Sequence, residues 1–266
     1  MKIAKSFIIS IIATVNIAWG LNIDSFPKDG GLVEVFNSNC LQMTQSQQML
    51  KAYIMKGLGS SFGKPSESLK KAIPLYDRRI VQISDYFKER LDDDKAKESF
   101  DKALRLWRES KKMLEAPPTK ENALEIKENF NKMIPLLLEG TMPIAKKTGG
   151  LELLSLTGKL CRGPLKISID YLLKLWGVDI PQYESEMENI IENFHKNLEE
   201  LKSNPLNNDK SMKLLKRAED GFRYFEFMHN SKNIFIPSLL SRKADENFMI
   251  IREIKKIYKS EVENKR

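Results

Sequence analysis

Two short segments of the chain carry polar side chains whose types and spacing could bind a small ligand. One is a group of glutamines, Gln42, Gln45, Gln47 and Gln48. The other is a group of cations, Lys159, Arg162 and Lys166. Amide groups both donate and accept hydrogen bonds, and a helix that starts near Pro164 would add free N–H groups for an anion. Each set could instead be a solvated helix face, since such residues are common on surfaces.

Sulfur-containing residues flank the same two segments. They are Cys40, Met43, Met49 and Cys161. Together they could form a soft-ligand site of the kind that suits copper(I), although methionines at helical spacing are more often core residues. We therefore expect no metal and no cofactor.

The sequence offers little for catalysis. The two histidines, His195 and His229, stand in no recognisable metal spacing, and the chain has neither a glycine-rich phosphate loop nor a nucleophile elbow. Acidic residues are abundant, but nothing marks a pair of them for acid–base work. We expect a binding or sensing protein and not an enzyme.

Residues 1–20 have the form of a cleavable secretory signal peptide. Lys2 and Lys5 precede an apolar run from Phe7 to Ala18, and Ala18 and Gly20 supply small residues at the cleavage site. The run is too short for a stable membrane span, and no later segment is apolar enough to form one. The sequence therefore predicts a soluble periplasmic protein without membrane insertion, in a compartment that permits disulfides.

The charge pattern argues against nucleic-acid binding. The net charge is +8, and it falls to +6 without Lys2 and Lys5, which leaves 42 basic and 36 acidic residues. Basic and acidic residues alternate along the predicted helix faces, as on a solvated surface. Export would also separate the chain from the nucleoid.

Apolar residues recur every three or four positions along most of the chain, which predicts an all-α fold. Asp92–Asp94 and Ala116–Pro118 should end helices, and Thr119 is a candidate N-cap. We expect Pro135 and Pro143 to kink or divide the next helix. Gly149 and Gly150 mark a candidate boundary, which gives modules of residues 21–149 and 150–266. Near the end of the chain, the segment NIFIPSLL is expected to be a packed loop, followed by a helix from about Ala244.

The two modules share a sequence pattern that indicates internal duplication. The segment YIMKGLG, residues 53–59, matches YLLKLWG, residues 171–177, at an offset of 118. A set of proline, tyrosine and apolar positions after Pro74 matches the set after Pro181 at an offset of 107. The difference of 11 residues falls in GSSFGKPSESLKKA, which we interpret as a longer surface loop in the first copy. The alternative is that two amphipathic helices align by their periodicity alone.

The segment NCLQMTQSQQMLKAYIMKGLG resembles the opening helix of the PilJ-type sensor module. This module is the periplasmic domain of type IV pilus methyl-accepting transducers, and it is related to that of nitrate/nitrite sensor kinases. TGKLCRGPLKISIDYLLKLWGVD resembles the same pattern, most closely at its end. The resemblance implies two tandem helical-bundle modules of about four helices each. The chain departs from the family pattern at the position of the arginine that is expected to bind nitrate. This position is Met43 in the first copy and Cys161 in the second.

The resemblance also implies where a ligand would bind. If the two opening helices pair as in a family dimer, Gln42, Gln45 and Gln48 would face Lys159, Arg162 and Lys166 across a pocket for a small carboxylate or zwitterion. In the aligned motif Cys40 and Cys161 lie three positions apart, so the same pairing predicts a disulfide between them. The expected function is ligand sensing through a membrane-bound sensor kinase or chemotaxis transducer. The alternative is a helical scaffold or adaptor whose pocket has decayed.

Overall fold

The computed structural model describes residues 31–90, 92–147, 151–231 and 236–264. Over these residues it is all-helical, with no strand. The first four helices are α1 (Leu32–Gly57), α2 (Pro65–Arg90), α3 (Asp94–Glu115) and α4 (Lys120–Lys147). The last four are α5 (Leu151–Leu175), α6 (Tyr183–Lys202), α7 (Asp209–Asn230) and α8 (Pro237–Asn264). None of these helices is both long enough and apolar enough to span a membrane.

Most predicted helix boundaries are confirmed. The Asp93 side chain accepts a hydrogen bond from the N–H of Ala96 at 2.8 Å and caps α3. The Thr119 hydroxyl accepts one from the N–H of Asn122 at 3.1 Å at the start of α4. Such caps satisfy N–H groups that the first helical turn leaves without partners.

α4 continues through Pro135 and Pro143 and is not divided there, which leaves a kink as the expected effect of the two prolines. Two predictions about helices are wrong. α5 begins at Leu151, so Pro164 lies inside it and no helix start faces a ligand there. α8 begins at Pro237, so residues 237–240 of the NIFIPSLL segment are helical and not a loop. The signal peptide and the boundary at Gly149 and Gly150 lie outside the described residues.

Helices α1–α4 and α5–α8 form two groups with the same order of neighbours. In the first group, α1 and α3 each contact both α2 and α4. In the second group, α5 and α7 each contact both α6 and α8. Over the described residues no Cα atom of α2 lies within 8 Å of a Cα atom of α4, and the same holds for α6 and α8. α3 and α7 have 22 residues each, and α4 and α8 have 28 each.

Helices α1 and α5 end with the same hydrogen-bonded turn. Gly59 and Gly177 have φ angles of +70° and +80°, which favour glycine because it has no Cβ to clash. Their N–H groups donate to the carbonyls of Lys56 and Lys174, both at 3.0 Å. At both helix ends the next N–H donates to the carbonyl five residues back. This is the Schellman arrangement, and all equivalent atoms are 118 residues apart.

The segment expected to be a longer loop is mostly helical. Five residues separate Gly59 from the start of α2 at Pro65, and five separate Gly177 from the start of α6 at Tyr183. The connection before α2 is therefore no longer than the one before α6, and residues 65–72 of GSSFGKPSESLKKA are helical, so the expectation of a longer surface loop is wrong. A helical extension adds intrahelical hydrogen bonds, so it satisfies its own backbone where an irregular loop would need solvent.

The two groups meet along α1 and α5, which are the central helices. Twenty of the 26 residues of α1 and 18 of the 25 of α5 are buried, against five of 20 in α6. α4 also contacts α5, and α8 contacts α1. The buried apolar residues of both groups form one continuous core, so burial of α1 against α5 stabilises the two groups together.

Candidate anion site between the two helix groups

α1 and α5 run parallel where they pack together; we call this contact the α1–α5 seam. Near its start, Gly158 on α5 faces Cys40 on α1: a Cβ added to Gly158 would lie 3.9 Å from the Cβ of Cys40. Near its end, the ring of Trp176 lies directly on Gly57. Cys40 and Gly158 are 118 residues apart, and Gly57 and Trp176 are 119 residues apart. The seam therefore places residues at a nearly constant sequence offset face to face.

Arg162 is a buried cation in this seam. Its residue surface is 7% exposed, and its Nη1 lies 3.9 Å from the Sδ of Met43 on α1. Among the described residues no carboxylate lies within ion-pair distance of it. Burial lowers the pKa of the Arg162 guanidinium, because a charged group loses hydration inside the protein.

Two lysines extend the positive region. Lys255 on α8 is also 7% exposed, and its charge acts on the Cys161 thiol next to Arg162. Lys166 lies one turn after Arg162 and is partly buried; burial and the neighbouring Arg162 charge lower its pKa. In the part of the chain that the structure describes, neither lysine has a carboxylate within 4.0 Å. Buried cations are normally paired, so an anion would stabilise this arrangement.

Lys255 was missed by the sequence reasoning. It lies on α8 among Ile251, Ile254 and Tyr258, all of them buried. A lysine that interrupts an apolar helical stripe is a signal that could have identified it.

Of the glutamines expected to form the opposite wall, Gln42 is turned to another helix. All of them are buried, so the alternative of a solvated face is wrong. Gln42 points toward α2, where its Nε2 donates to the carbonyl of Tyr76 at 3.2 Å. Gln45 is buried, and its Oε1, like that of Gln42, has no partner within the described chain; Gln48 is buried as well. Lys159 is exposed, so of the three predicted cations only Arg162 and Lys166 are withdrawn from solvent.

Cys40 and Cys161 are buried free thiols. Burial raises the pKa of Cys161 to about 12, against the opposing effects of Lys255 and Arg162. The predicted disulfide is not formed in the structure and stays a prediction. The described residues contain no group of three or more histidines, cysteines or acidic residues that could hold a metal ion.

A second cluster of buried charges lies at the junction of α4, α5 and α6. Lys127 Nζ lies 2.9 Å from Asp170 Oδ1 and 2.8 Å from Glu186 Oε2. Asp170 is 2% exposed, and its burial raises its pKa to about 6 although Lys127 opposes the change. Asp170 interrupts the apolar stretch of α5, which is the signal that could have identified it. Its ion pair with Lys127 joins the two helix groups.

A related ion pair joins the groups on the other side. Lys51 Nζ on α1 donates to Asp245 Oδ1 at 2.5 Å and to the carbonyl of Ser241 at 3.2 Å, both on α8. Lys127 and Asp245 are 118 residues apart, and each lies on the last helix of its group, α4 or α8. The first pair holds α4 to α5, and α4 supplies its lysine. The second pair holds α8 to α1, and α8 supplies its aspartate.

Two surface cavities lie away from the seam. One, of about 650 Å³, is lined by residues of α3 and α4 that include Lys95, Glu139 and Met142. The other, of about 290 Å³, lies before α6 and includes Tyr183 and Glu184. Arg162, with 7% of its surface exposed, lines neither of them.

Comparison of the chain with models of protein families, with curated protein sequences and with solved structures finds no match in any of the three.

Proposed function

We propose that this chain is an exported periplasmic sensory protein that binds a small anion or zwitterion in the α1–α5 seam. The observation that supports this proposal most directly is the buried guanidinium of Arg162, which has no carboxylate partner among the described residues. A guanidinium presents a planar fork of donors to a carboxylate or another oxyanion. Lys166 and Lys255 are placed to add positive charge. The protein would act as a non-enzymatic binding protein without a cofactor.

The proposal includes two tandem PilJ-type modules that arose by duplication. The shared order of helix neighbours, the equal lengths of α3 and α7 and of α4 and α8, and the matching turns at Gly59 and Gly177 support a duplication. The parallel seam would then imitate within one chain the contact between two modules of a dimer. A ligand at this contact would change how α1 and α5 pack together. That change would be passed to a membrane-bound sensor kinase or chemotaxis transducer.

A thermal-shift screen tests ligand binding. Purified protein is heated with nitrate, nitrite, acetate, succinate or single amino acids, since a ligand of the folded state raises the melting temperature with the logarithm of its excess. Arg162→Ala and Lys166→Ala together should weaken binding of a stabilising anion by about 1.5–3 kcal/mol for each charged hydrogen bond lost. Lys159→Ala is the matched control, because Lys159 is exposed on the same helix. Unchanged affinity in the double variant, with its helical circular dichroism intact, would move the site elsewhere.

The second candidate function is a helical scaffold or adaptor without a ligand. It is favoured by the burial of Arg162 in the closed seam and by the position of the two surface cavities, which lie elsewhere. It predicts that none of the anions or amino acids raises the melting temperature. Affinity capture by the purified full chain would then retrieve a membrane protein from an envelope extract with no ligand added.

Export is tested by intact mass. The proposal expects a mature chain that begins at or near Leu21 and fractionates with the soluble periplasm. A native protein that keeps residues 1–20 and remains in the membrane fraction would contradict it.

A further inference from the structure

The two cysteines lie across the α1–α5 seam from each other. Cys40 on α1 faces Gly158 on α5, and Cys161 lies three residues farther along α5, less than one helical turn away. Both residues are buried, with 2% and 4% of their surfaces exposed. They are also close enough for ionisation of one thiol to oppose that of the other. These are the only two cysteines in the chain, so an intramolecular pair has no competing partner.

The thiols adjoin the proposed anion site. Arg162 follows Cys161 directly, and its Nη1 lies beside Met43, three residues after Cys40 on α1. Only 7% of the Arg162 surface is exposed, and the residue lines neither of the two cavities described above. Separation of α1 from α5 would open the guanidinium to an anion. A covalent bond between the same two helices would oppose that separation.

We propose that Cys40 and Cys161 are a redox pair whose disulfide joins α1 to α5 and closes the anion site. This rests on the proposed function. The disulfide forms by exchange with a small-molecule disulfide such as oxidised glutathione. The thiolate of one cysteine attacks a glutathione sulfur and releases one glutathione thiolate. The thiolate of the other cysteine then attacks the mixed disulfide and releases the second glutathione. Two electrons pass to glutathione, and the two thiol protons go to the released thiolates.

The local environment sets the conditions for this reaction. Arg162 and Lys255 favour the thiolate of Cys161, but burial outweighs them and keeps its pKa well above neutrality. The thiolate is the reactive form, so exchange should be slow while the seam is closed. Opening of the seam exposes the thiols and the guanidinium together. An anion and the oxidant therefore act on the same open state.

The test follows disulfide formation and anion binding in the full chain. Reduced protein is incubated with oxidised glutathione until the content of mixed disulfide is constant, and the bonds are mapped by mass spectrometry after alkylation. We expect one intramolecular bond between Cys40 and Cys161. Two alkylated thiols, or glutathione left on both cysteines, would overturn the redox pair.

Thermal shifts with sodium nitrate and with sodium acetate then compare the two redox forms. We expect at least one anion to raise the melting temperature of the reduced protein and the same anion to leave that of the oxidised protein unchanged. Equal shifts in both forms would overturn redox control and leave the anion site standing. The absence of a shift in either form would count against the proposed function, while the mapped bond would still decide the redox pair. Cys40→Ser and Cys161→Ser are the controls: in each variant the oxidant should no longer affect the anion-induced shift.

Discussion

Arg162 shows how a single residue can oppose the stability of the fold that contains it. Its guanidinium is withdrawn from water without a carboxylate to replace the lost hydration, in the part of the chain that the structure describes. Such a group is costly unless an unlike charge accompanies it. A residue with only a packing role would not need the charge. Retention of the charge is therefore consistent with a bound anion.

Replacement of Arg162 by methionine should stabilise the protein in the absence of anions. Apolar residues of similar volume commonly replace buried ionic groups with no loss of stability or a gain of roughly 1–4 kcal/mol. We expect Arg162→Met to raise the free energy of unfolding in urea and to abolish the anion-induced thermal shift. Lys255→Met, on α8, is a comparison with the same expected direction. A large loss of stability in Arg162→Met would show that the guanidinium has a structural role.

Asp170 should make stability depend on pH. It faces Lys127 on α4, Glu186 on α6 and Lys166 on its own helix. Its pKa is raised to about 6 in the folded protein, so the folded state holds the proton more tightly than the unfolded chain does. The resulting stabilisation is fully present below the ordinary aspartate pKa near 4 and is lost as pH rises through about 6.

The comparison that isolates this effect is Asp170→Asn. From about pH 4 to about pH 6 the free energy of unfolding of the unsubstituted protein should fall relative to that of Asp170→Asn, and the difference should level off between about pH 6 and pH 8. Urea unfolding at a series of pH values measures it. Asp220→Asn is the control, because Asp220 forms an exposed pair with Lys216 and should show little change over this range. A pH-independent difference for Asp170→Asn would refute the expectation.

At the scale of elements, the close approach of α1 and α5 depends on Gly57. A methyl group at Gly57 would overlap the ring of Trp176, whereas one at Gly158 would lie 3.5 Å from Arg162 Nη1 in ordinary contact. Both glycines are helical, so both alanines gain helix propensity. Only the first alanine has to displace a large aromatic ring.

These two glycines form a matched pair of substitutions. Gly57→Ala should lower the free energy of unfolding by about 1–3 kcal/mol through overpacking. Gly158→Ala should be neutral or stabilise by up to about 1 kcal/mol, the difference in propensity between glycine and alanine. Chemical denaturation followed by circular dichroism measures both. Equal effects of the two alanines would mean that Trp176 does not restrict the seam near Gly57.

At the scale of the whole molecule, the two helix groups should unfold together. One apolar core runs through both of them, and the ion pairs Lys127–Asp170 and Lys51–Asp245 hold them on two sides of the seam. Neither α1 nor α5 could leave its partner without exposing a mostly buried helix. The cost of that exposure makes an intermediate with one folded group unfavourable.

Hydrogen exchange at increasing urea concentration tests this cooperativity. Peptides from α3 and α7, which belong to different groups, should lose protection at the same urea concentration, because global unfolding exposes both. Exchange read by mass spectrometry needs no substitution, so the full chain serves as its own control. Two separated midpoints would show that the groups are independent modules.

The sequence by itself determined the helices and much of their order. The apolar period of three to four residues, the cap at Asp93 and the glycines that close α1 and α5 depend on neighbours within one or two turns, so local chemistry decides them. Arg162 and Lys166 could be selected in the same way, as cations in the segment equivalent to the glutamines of α1. Pro164 misled the reasoning, because burial of α5 among other helices compensates for the backbone hydrogen bond that proline removes.

Only the tertiary structure decided which polar residues meet. Gln42 and Lys159 both lie in the segments expected to form the pocket, yet one turns to α2 and the other to solvent. Lys255 comes to the seam from almost a hundred residues farther along the chain than Arg162, and Lys127 reaches Asp170 from another helix group. Such contacts between side chains depend on the rotation of each helix about its axis and on the neighbours that it packs against. Those are set by the burial of all the apolar faces together, and no local pattern encodes them.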